Sequence, residues 1–238
     1  MKRILLVITL TVLSGSTAFS QDDSQLKAWK IVYKTRAEPL SGATPAQIKE
    51  AKTITQKFAS TKRVVLFSDS LYRVDHLMKI GDKYRSTYSL IANRRDDVVY
   101  QYDGSQNAFV RQSYTSYMEM VNKESEVDLI DKQHYQDSVK TILGWRVRKM
   151  TFNAVSPVSP SDTLKNIVWY APELPNWFVN MFKGQNLPGF PLQTVTIPMT
   201  RKKYLHFIDE AVKIRSVTLE KSDYLPPEDA EIVDGSDR

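Results

Sequence analysis

The apolar residues of the chain follow mostly the pattern of β-strands. Trp29, Ile31 and Tyr33 recur at every second position, the spacing of a strand with one buried face. Further runs rich in β-branched and aromatic residues follow, and Asp103-Gly104 between two of them is a hairpin signal. We expect strands over residues 29–34, 62–68, 70–77, 84–91, 98–102, 107–112, 141–152, 167–170 and 193–197, and a last hairpin of residues 202–208 and 212–221. The turn of that last hairpin would be residues 209–211, and Gly144 would be a bulge or bend.

One segment has helical spacing instead. Thr44 can cap a helix, Pro45 suits the first helical position, and Gln47 completes a capping box. Apolar residues then recur near the helical period at Ile48, Ala51, Ile54 and Phe58. The pattern predicts a helix over residues 45–58.

The hydrophobic pattern is less regular in four further segments. Residues 118–134 are acidic, and their pattern fits either a solvated loop or an edge element. Residues 156–162 hold two prolines and are expected to form a loop, and residues 177–182 fit a short amphipathic helix or a turn. Residues 226–238 carry five acidic residues and two prolines, so we expect a flexible tail.

These elements predict a mainly β (α+β) fold. No internal repeat and no long Pro/Ser-rich linker divides the sequence. We therefore expect one domain over residues 21–225, with about ten strands and one or two helices on one face.

The first twenty residues have the layout of a secretory signal peptide. Lys2 and Arg3 precede an apolar run over residues 4–13, and small residues lead to Ser20. A membrane anchor is the alternative, but a span needs about 20 apolar residues, and this run has roughly half that. We expect residues 1–20 to be cleaved and the mature chain to be periplasmic or secreted, without spanning a membrane.

The amino-acid composition excludes several kinds of chemical site. The 238 residues contain no cysteine and three histidines, so thiol chemistry, disulfides and lipidation of an N-terminal cysteine are excluded. Histidines with zinc-site spacing are absent from the sequence, and we expect no metal and no cofactor. The formal charge of +6 is a weak basic bias that does not indicate a nucleic-acid partner.

No pattern indicates a catalytic site. Asp75 and His76 are neighbours on a predicted strand, so their side chains point to opposite faces and do not form an acid/base pair. The serines lack a nucleophile-elbow motif. The basic pairs Lys62-Arg63 and Arg94-Arg95 are interpreted as solvated strand ends, with contact to an anionic partner as the alternative. We expect the protein not to be an enzyme.

Three segments together resemble a known family. They are residues 142–145 (ILGW), 169–175 (WYAPELP) and 187–192 (LPGFPL). In this order they resemble the C-terminal half of the GLPGLI family and related uncharacterised envelope proteins of Bacteroidetes, although Asn186 stands where that family has its first glycine. The resemblance implies a LolA-like fold, in which a curved antiparallel sheet forms an incomplete barrel with helices on its concave side. It implies no reaction.

The aromatic residues of the C-terminal half are the candidate ligand site. We expect the lining residues to be Trp169, Trp177, Phe178, Phe182 and Phe190. They have two interpretations: packing of a short helix on the sheet, or the lining of a cavity for an acyl chain. The segment 187–192 is likewise either a rigid turn or a lip over that cavity.

The first hypothesis is a non-enzymatic protein that binds an apolar ligand or a lipidated partner, such as a lipid or lipoprotein acyl chain. The alternative is an interaction module that docks onto an outer-membrane protein. A hydrolase is the third hypothesis and has the least support.

Overall fold

The computed structural model describes residues 26–124, 129–156, 159–175, 187–199 and 204–235. In these ranges two helices accompany one sheet. The helices are α1 (Pro45–Ala59) and α2 (Tyr114–Glu124). The strands are β1 (Leu26–Pro39), β2 (Thr61–Phe67), β3 (Leu71–Ile80), β4 (Lys83–Asn93), β5 (Val98–Asp103), β6 (Ala108–Ser113), β7 (Leu129–Ile142), β8 (Trp145–Ser156), β9 (Ser159–Ala171), β10 (Phe190–Pro198), β11 (Leu205–Leu219) and β12 (Glu231–Asp234).

All twelve strands lie in one sheet. Their order is β12-β6-β5-β4-β3-β2-β1-β11-β10-β9-β8-β7. Neighbours are antiparallel except for β12, which pairs in parallel with β6. Strands β12 and β7 are at the two ends of this order and are not paired with each other, so the sheet of the described residues is open. The prediction of a mainly β fold with a helix or two is confirmed.

Aromatic contacts show that the sheet is curved. Phe67 on β2 stacks on Phe190 on β10, with ring centroids 4.1 Å apart. Trp29 on β1 meets Trp145 on β8 edge to face at 5.0 Å. Along the sheet, β1 and β8 are four steps apart, or about 19 Å at the usual strand spacing. Only a strongly curled sheet brings such rings together.

Three apolar clusters pack on the two faces. The central cluster takes side chains from both halves of the sheet, and its buried members include Ile31, Tyr33, Phe67, Val147, Phe190 and Leu192. A second cluster contains Ala28, Leu66, Leu71, Ile91, Phe109 and Leu219. A third contains Met150, Phe152, Val168, Tyr170 and Leu187. Because successive strand residues point to opposite faces, Ala28 and Trp29 place the second and central clusters on opposite sides of β1.

Helix α1 confirms the helix prediction. Thr44 Oγ1 accepts a hydrogen bond from the backbone N–H of Gln47, and the Gln47 side chain accepts from the N–H of Thr44. Thr55 Oγ1 accepts from the backbone N–H of Ala37 and donates to its carbonyl. Strand β1 pairs with β2 over residues 29–33. At Ala37, beyond that range, the helix supplies the hydrogen bonds of the β1 backbone instead.

Helix α2 occupies part of the acidic segment that was expected to be a loop or edge element. Asp97, in the turn between β4 and β5, holds its first turn. The Asp97 carboxylate accepts hydrogen bonds from the Thr115 N–H and hydroxyl and from the Ser113 hydroxyl. Two tyrosines of the helix, Tyr114 and Tyr117, pack against the central cluster.

Two predicted boundaries in the C-terminal half are wrong. Leu143 and Gly144 have φ of 50° and 86° and form a hairpin turn between β7 and β8, where one strand with a bulge or bend at Gly144 was expected. A loop was predicted over residues 156–162, but β8 runs to Ser156 and β9 starts at Ser159, so residue 156 and residues 159–162 are in strands.

The predicted last hairpin is also wrong. Residues 209–211 lie inside β11, which is one continuous strand with a register shift opposite Val32 and Tyr33. Acidic residues that suggested a turn are instead paired with basic residues of other strands: Asp209 with Arg63, and Glu210 with Arg36.

The segment expected to be a flexible tail is partly strand. Residues 231–234 form β12, and Ala230 packs against the second cluster. The prediction is therefore wrong for these residues. The predicted signal peptide, the predicted helix or turn over residues 177–182, and residues 125–128 lie outside the described residues.

Candidate functional site

Two of the five predicted lining residues lie in the described structure, and both belong to the central cluster. Phe190, the first residue of β10, is 1% exposed, and its ring is parallel to Phe67 within 7°. Trp169 on β9 is half-buried and packs against the same cluster. Trp177, Phe178 and Phe182 lie outside the described residues.

Two lysine side chains lie near the ring of Trp169. Lys140 Nζ lies 4.2 Å from the centroid of its ring, and Lys149 Nζ lies 5.9 Å away. Lys140 also donates a 2.5 Å hydrogen bond to Gln193 Oε1. Desolvation lowers the pKa of Lys140. Trp169 therefore contacts the apolar cluster and also makes cation–π contacts with two lysines.

The central cluster is unusually rich in aromatic rings. Trp29, Trp145 and Trp169, which are three of the four tryptophans of the chain, pack against its buried members. The Tyr33 hydroxyl donates a 2.6 Å hydrogen bond to the carbonyl of Pro191. Each ring so placed removes a large apolar area from water, and the tyrosine keeps its polar end satisfied.

A partly buried ion pair lies beside these rings. The guanidinium of Arg63 on β2 pairs with the carboxylate of Asp209 on β11, and their side chains are 14% and 21% exposed. Thr35 Oγ1 donates a 3.1 Å hydrogen bond to Asp209 Oδ1. The Arg63 guanidinium lies 4.3 Å from the Tyr33 ring centroid. Sequence reasoning missed this pair, since it interpreted Arg63 as a solvated strand end and Asp209 as a turn residue.

Tyrosine hydroxyls mark the side of the cluster that α2 covers. Burial raises the pKa of Tyr88 to about 12 and raises that of Tyr72 further. Tyr117 of α2 adds to both shifts through its charge. These phenols are therefore neutral at ordinary pH.

The loop between β9 and β10 joins two faces of the sheet. Leu187 packs in the third cluster, whereas Phe190 packs in the central one. Gly189 lies against the neighbouring backbone: a Cβ there would be 2.4 Å from the Ala171 carbonyl oxygen and 2.7 Å from Pro172 Cα. The glycine is required by this close approach and not by a positive φ.

Asp75 and His76 do not act together, in agreement with their predicted opposite faces. Asp75 accepts hydrogen bonds from Arg73 Nε at 2.9 Å and from the Ser89 hydroxyl at 2.6 Å. His76 instead packs edge to face on Tyr88, with ring centroids 5.4 Å apart.

No three His, Asp or Glu side chains of the described residues come together as a metal site. Among the helices in the described ranges, none is long and apolar enough to cross a membrane.

Comparison with known proteins gives only distant likenesses. No protein-family model matches the chain, and no curated protein matches its sequence. The resemblance to the GLPGLI family is therefore not confirmed.

Two solved structures show a remote similarity. Lipoprotein LppX of Mycobacterium tuberculosis is 8% identical, with 78% of this chain and 85% of that chain covered at a TM-score of 0.32. A LolA superfamily protein from Nitrosomonas europaea is 8% identical, with 84% and 90% covered at a TM-score of 0.33. Scores this low carry no argument about function, so the proposals below rest on the residues of this chain.

Proposed function

We propose that the mature chain is a non-enzymatic periplasmic or secreted protein that binds an apolar ligand, or the acyl group of a lipidated partner, in the central cluster. This form of the protein begins near Gln21 after cleavage of a signal peptide over residues 1–20. The supporting observation is the central cluster itself. It is an aromatic interior inside an open, curled sheet, and α2 covers part of it through Tyr114 and Tyr117.

Binding would follow from burial of apolar area. Each methylene of an acyl chain buried against the rings contributes about 0.8 kcal/mol. The rings of Phe67 and Phe190 are already stacked, so a chain must enter beside them and not between them. Helix α2 is not part of the strand order, so its displacement by a ligand would leave the pairing between strands intact.

The proposed lining is Trp169, Phe190, Trp177, Phe178 and Phe182. The first two differ in how a substitution would act. Phe190 is a fully packed ring, and its removal is expected to cost about 3–5 kcal/mol of stability. Trp169 is half-buried, so it can contact a ligand while the rest of the cluster stays packed.

The test is fluorescence quenching by a brominated fatty acid. Three tryptophans pack on the central cluster, so a bromine atom that enters it is expected to quench the emission of the protein. Trp177→Ala and Phe182→Ala should weaken binding by about tenfold without lowering the melting temperature. Tyr84→Ala removes an exposed ring elsewhere on the sheet and is the matched control.

Native mass spectrometry of the mature protein from a periplasm supplies the second readout. A lipid-sized adduct that is released by organic extraction supports the proposal. Absence of both quenching and an adduct, or equal loss of folding and binding in the two variants, contradicts it.

A second candidate function, docking onto an outer-membrane protein, is favoured by one observation. Strand β7 is 14 residues long and is the last strand in the sheet order, so it offers an edge for strand addition. Capture of an outer-membrane protein from envelope extract, lost with Thr141→Pro, would support docking.

A further inference from the structure

The hairpin of β3 and β4 projects beyond the strands that flank it. The pairing of β2 with β3 starts at Thr61 and Met78, and the pairing of β5 with β4 involves only residues 90–93 of β4. Every residue from 78 to 87 is exposed. Residues 78–87 form this projecting part, the β3–β4 tip. Beyond Met78 it is a ribbon of two strands without a third strand in the described structure.

Two apolar side chains of the tip are open to solvent. Ile80 is 48% exposed and Met78 is 38% exposed. The register places Ile80 opposite Lys83 and Met78 opposite Arg85. Because residues directly opposite each other share a face of the hairpin, one face of the tip presents both apolar and both cationic side chains.

The tip is also positively charged. Its cations are Lys79, Lys83 and Arg85, and its acid is Asp82. Within the described ranges, no ion pair involves these three cations. Their charges are therefore not neutralised by neighbouring carboxylates of the fold.

We infer that the β3–β4 tip binds the surface of a membrane that contains anionic lipids. Apolar side chains enter the boundary between headgroups and acyl chains, while lysine and arginine extend their charged ends to the headgroups. Anionic lipids attract cations at this surface. A partner protein would need a pocket shaped for Ile80 and Met78, whereas a lipid interface accepts apolar side chains beside cations in any arrangement.

This inference goes beyond the proposed apolar ligand, because the tip does not contain any residue of the proposed lining. The two parts are nevertheless adjacent in the fold. Tyr88, the residue of β4 that follows the tip, packs against the central cluster. Attachment of the tip would therefore hold one side of the central cluster near the membrane surface.

The first experiment is co-sedimentation of the mature protein with vesicles of phosphatidylcholine alone or mixed with phosphatidylglycerol. We expect binding to the mixed vesicles that weakens with added salt. Lys83→Gln combined with Arg85→Gln should weaken it at least about tenfold. The control is Lys213→Gln combined with Arg215→Gln, which removes the same charges at the same spacing from an exposed stretch of β11 and should change binding less than about twofold.

The apolar part of the surface is tested separately. Ile80→Ser should weaken binding to the mixed vesicles about fivefold, because less apolar area leaves water. Val212→Ser is the control, since Val212 on β11 is 42% exposed and lies outside the tip. All these positions are exposed, so the melting temperatures should remain those of the natural sequence.

A fluorescent label reports whether the tip enters the lipid interface. The chain has no cysteine, so Ile80→Cys creates a single site for an environment-sensitive dye. The emission of this dye should shift to the blue when mixed vesicles are added. The same dye at Val212→Cys should not shift.

The proposal is supported if the tip variants lose binding, the β11 variants keep it, and the label at position 80 shifts. It is overturned if mixed vesicles do not bind, if neutral vesicles bind equally well, or if the two double variants lose binding equally. A label at position 80 that does not shift, or capture of an acidic envelope protein without vesicle binding, also overturns it. Quenching by a brominated fatty acid is measured without vesicles, so failure of one proposal is distinguishable from failure of the other.

Discussion

At the scale of single residues, three contacts hold the curl of the sheet. Phe67 stacks on Phe190, Tyr33 donates to the Pro191 carbonyl, and Arg63 pairs with Asp209. In every case at least one strand lies between the two partners in the sheet order. These side chains therefore stabilise curvature, which hydrogen bonds between neighbouring strands do not fix by themselves.

Gly189 is expected to be intolerant of any side chain. In Gly189→Ala the new Cβ would lie 2.4 Å from a backbone oxygen, so β9 and the loop must shift apart. The expected loss is about 2 kcal/mol of unfolding free energy, measured by urea denaturation. Gly104→Ala is the control, because its Cβ would meet only Tyr102 Cε1 at 3.8 Å. Equal stability of the two variants would contradict this account of the loop.

The Arg63–Asp209 pair is expected to be costly to break from one side. Arg63→Met leaves a partly buried carboxylate with Thr35 as its remaining donor in the described structure. We expect a loss of about 3 kcal/mol in unfolding free energy. The double variant with Asp209→Leu should recover much of this loss, because it leaves no uncompensated charge. A double variant that is less stable than Arg63→Met would show that the pair matters for other reasons.

These residues show which contacts a sequence reveals. The capping box of Thr44 and Gln47 was predicted, because its partners are three positions apart. Asp209 and Arg63 are 146 positions apart, and the preference of an isolated Asp-Glu pair is for turns. The prediction of a turn at residues 209–211 failed because distant cations satisfy these acids within a strand.

At the scale of elements, a carboxylate outside α2 contributes to the start of this helix, together with the Ser113 hydroxyl, which accepts from the Ser116 N–H. Asp97 accepts three hydrogen bonds from Ser113 and Thr115, and it has a φ of 49°. Hydrogen bonds from the Ser113 hydroxyl and from Thr115 lower the pKa of Asp97. The link between this turn and the cover of the central cluster is therefore sensitive to protonation.

The attachment of α2 is expected to weaken in acid. Because the folded state lowers the pKa of Asp97 below its ordinary value of 3.8, its contribution is complete above that value and is lost as the pH falls through the folded pKa. Amide hydrogen exchange of α2 should accelerate over this range in the natural sequence. In Asp97→Asn it should be faster at neutral pH and should lose this pH dependence.

Asp96→Asn is the matched control for this titration. It removes a carboxylate from the same turn, but Asp96 binds Asn93 and not the helix. Its exchange profile should keep the acid-dependent step. If the acid-dependent step survives in Asp97→Asn and disappears in Asp96→Asn, it belongs to Asp96, and the prediction for Asp97 is contradicted.

The boundaries of elements were predicted correctly where residues close in sequence determine them. They were predicted wrongly where pairing with another strand determines them. Alternation placed the strands of the first half of the sheet, and Asp103-Gly104 correctly marked the hairpin between β5 and β6. Gly144 was predicted to be a bulge or bend inside one strand, but it belongs to a hairpin turn in which Leu143 has a positive φ, which is uncommon for leucine. The pairing of β7 with β8 forces the turn there, and that pairing is not visible in either strand alone.

At the scale of the whole molecule, the aromatic interior was only half predictable. The density of aromatic residues around Trp169 and Phe190 pointed to a shared region, and both lie in the central cluster. Their partners Phe67, Trp29 and Trp145 come from other strands, and only the order of the sheet brings them together.

The C-terminal segment covers the edge of β6, and its removal should expose that strand. Strand β12 pairs with β6 over residues 108–111, and Ala230 packs against the second cluster. Deletion of residues 226–238 leaves the backbone groups of β6 unpaired on one side, and such an edge favours association with another chain. We expect a lower melting temperature and a mass, measured by light scattering, that rises with concentration.

A shorter deletion separates the effect of β12 from the effect of truncation. Removal of residues 236–238 alone keeps the strand and should leave both the melting temperature and the mass as in the full chain. If the long deletion behaves in the same way, β12 contributes nothing to the sheet, and the edge of β6 must be protected by its own sequence. If it associates instead, the acidic C-terminal segment is a structural part of the domain, which ties the end of the chain to the outer side of β6.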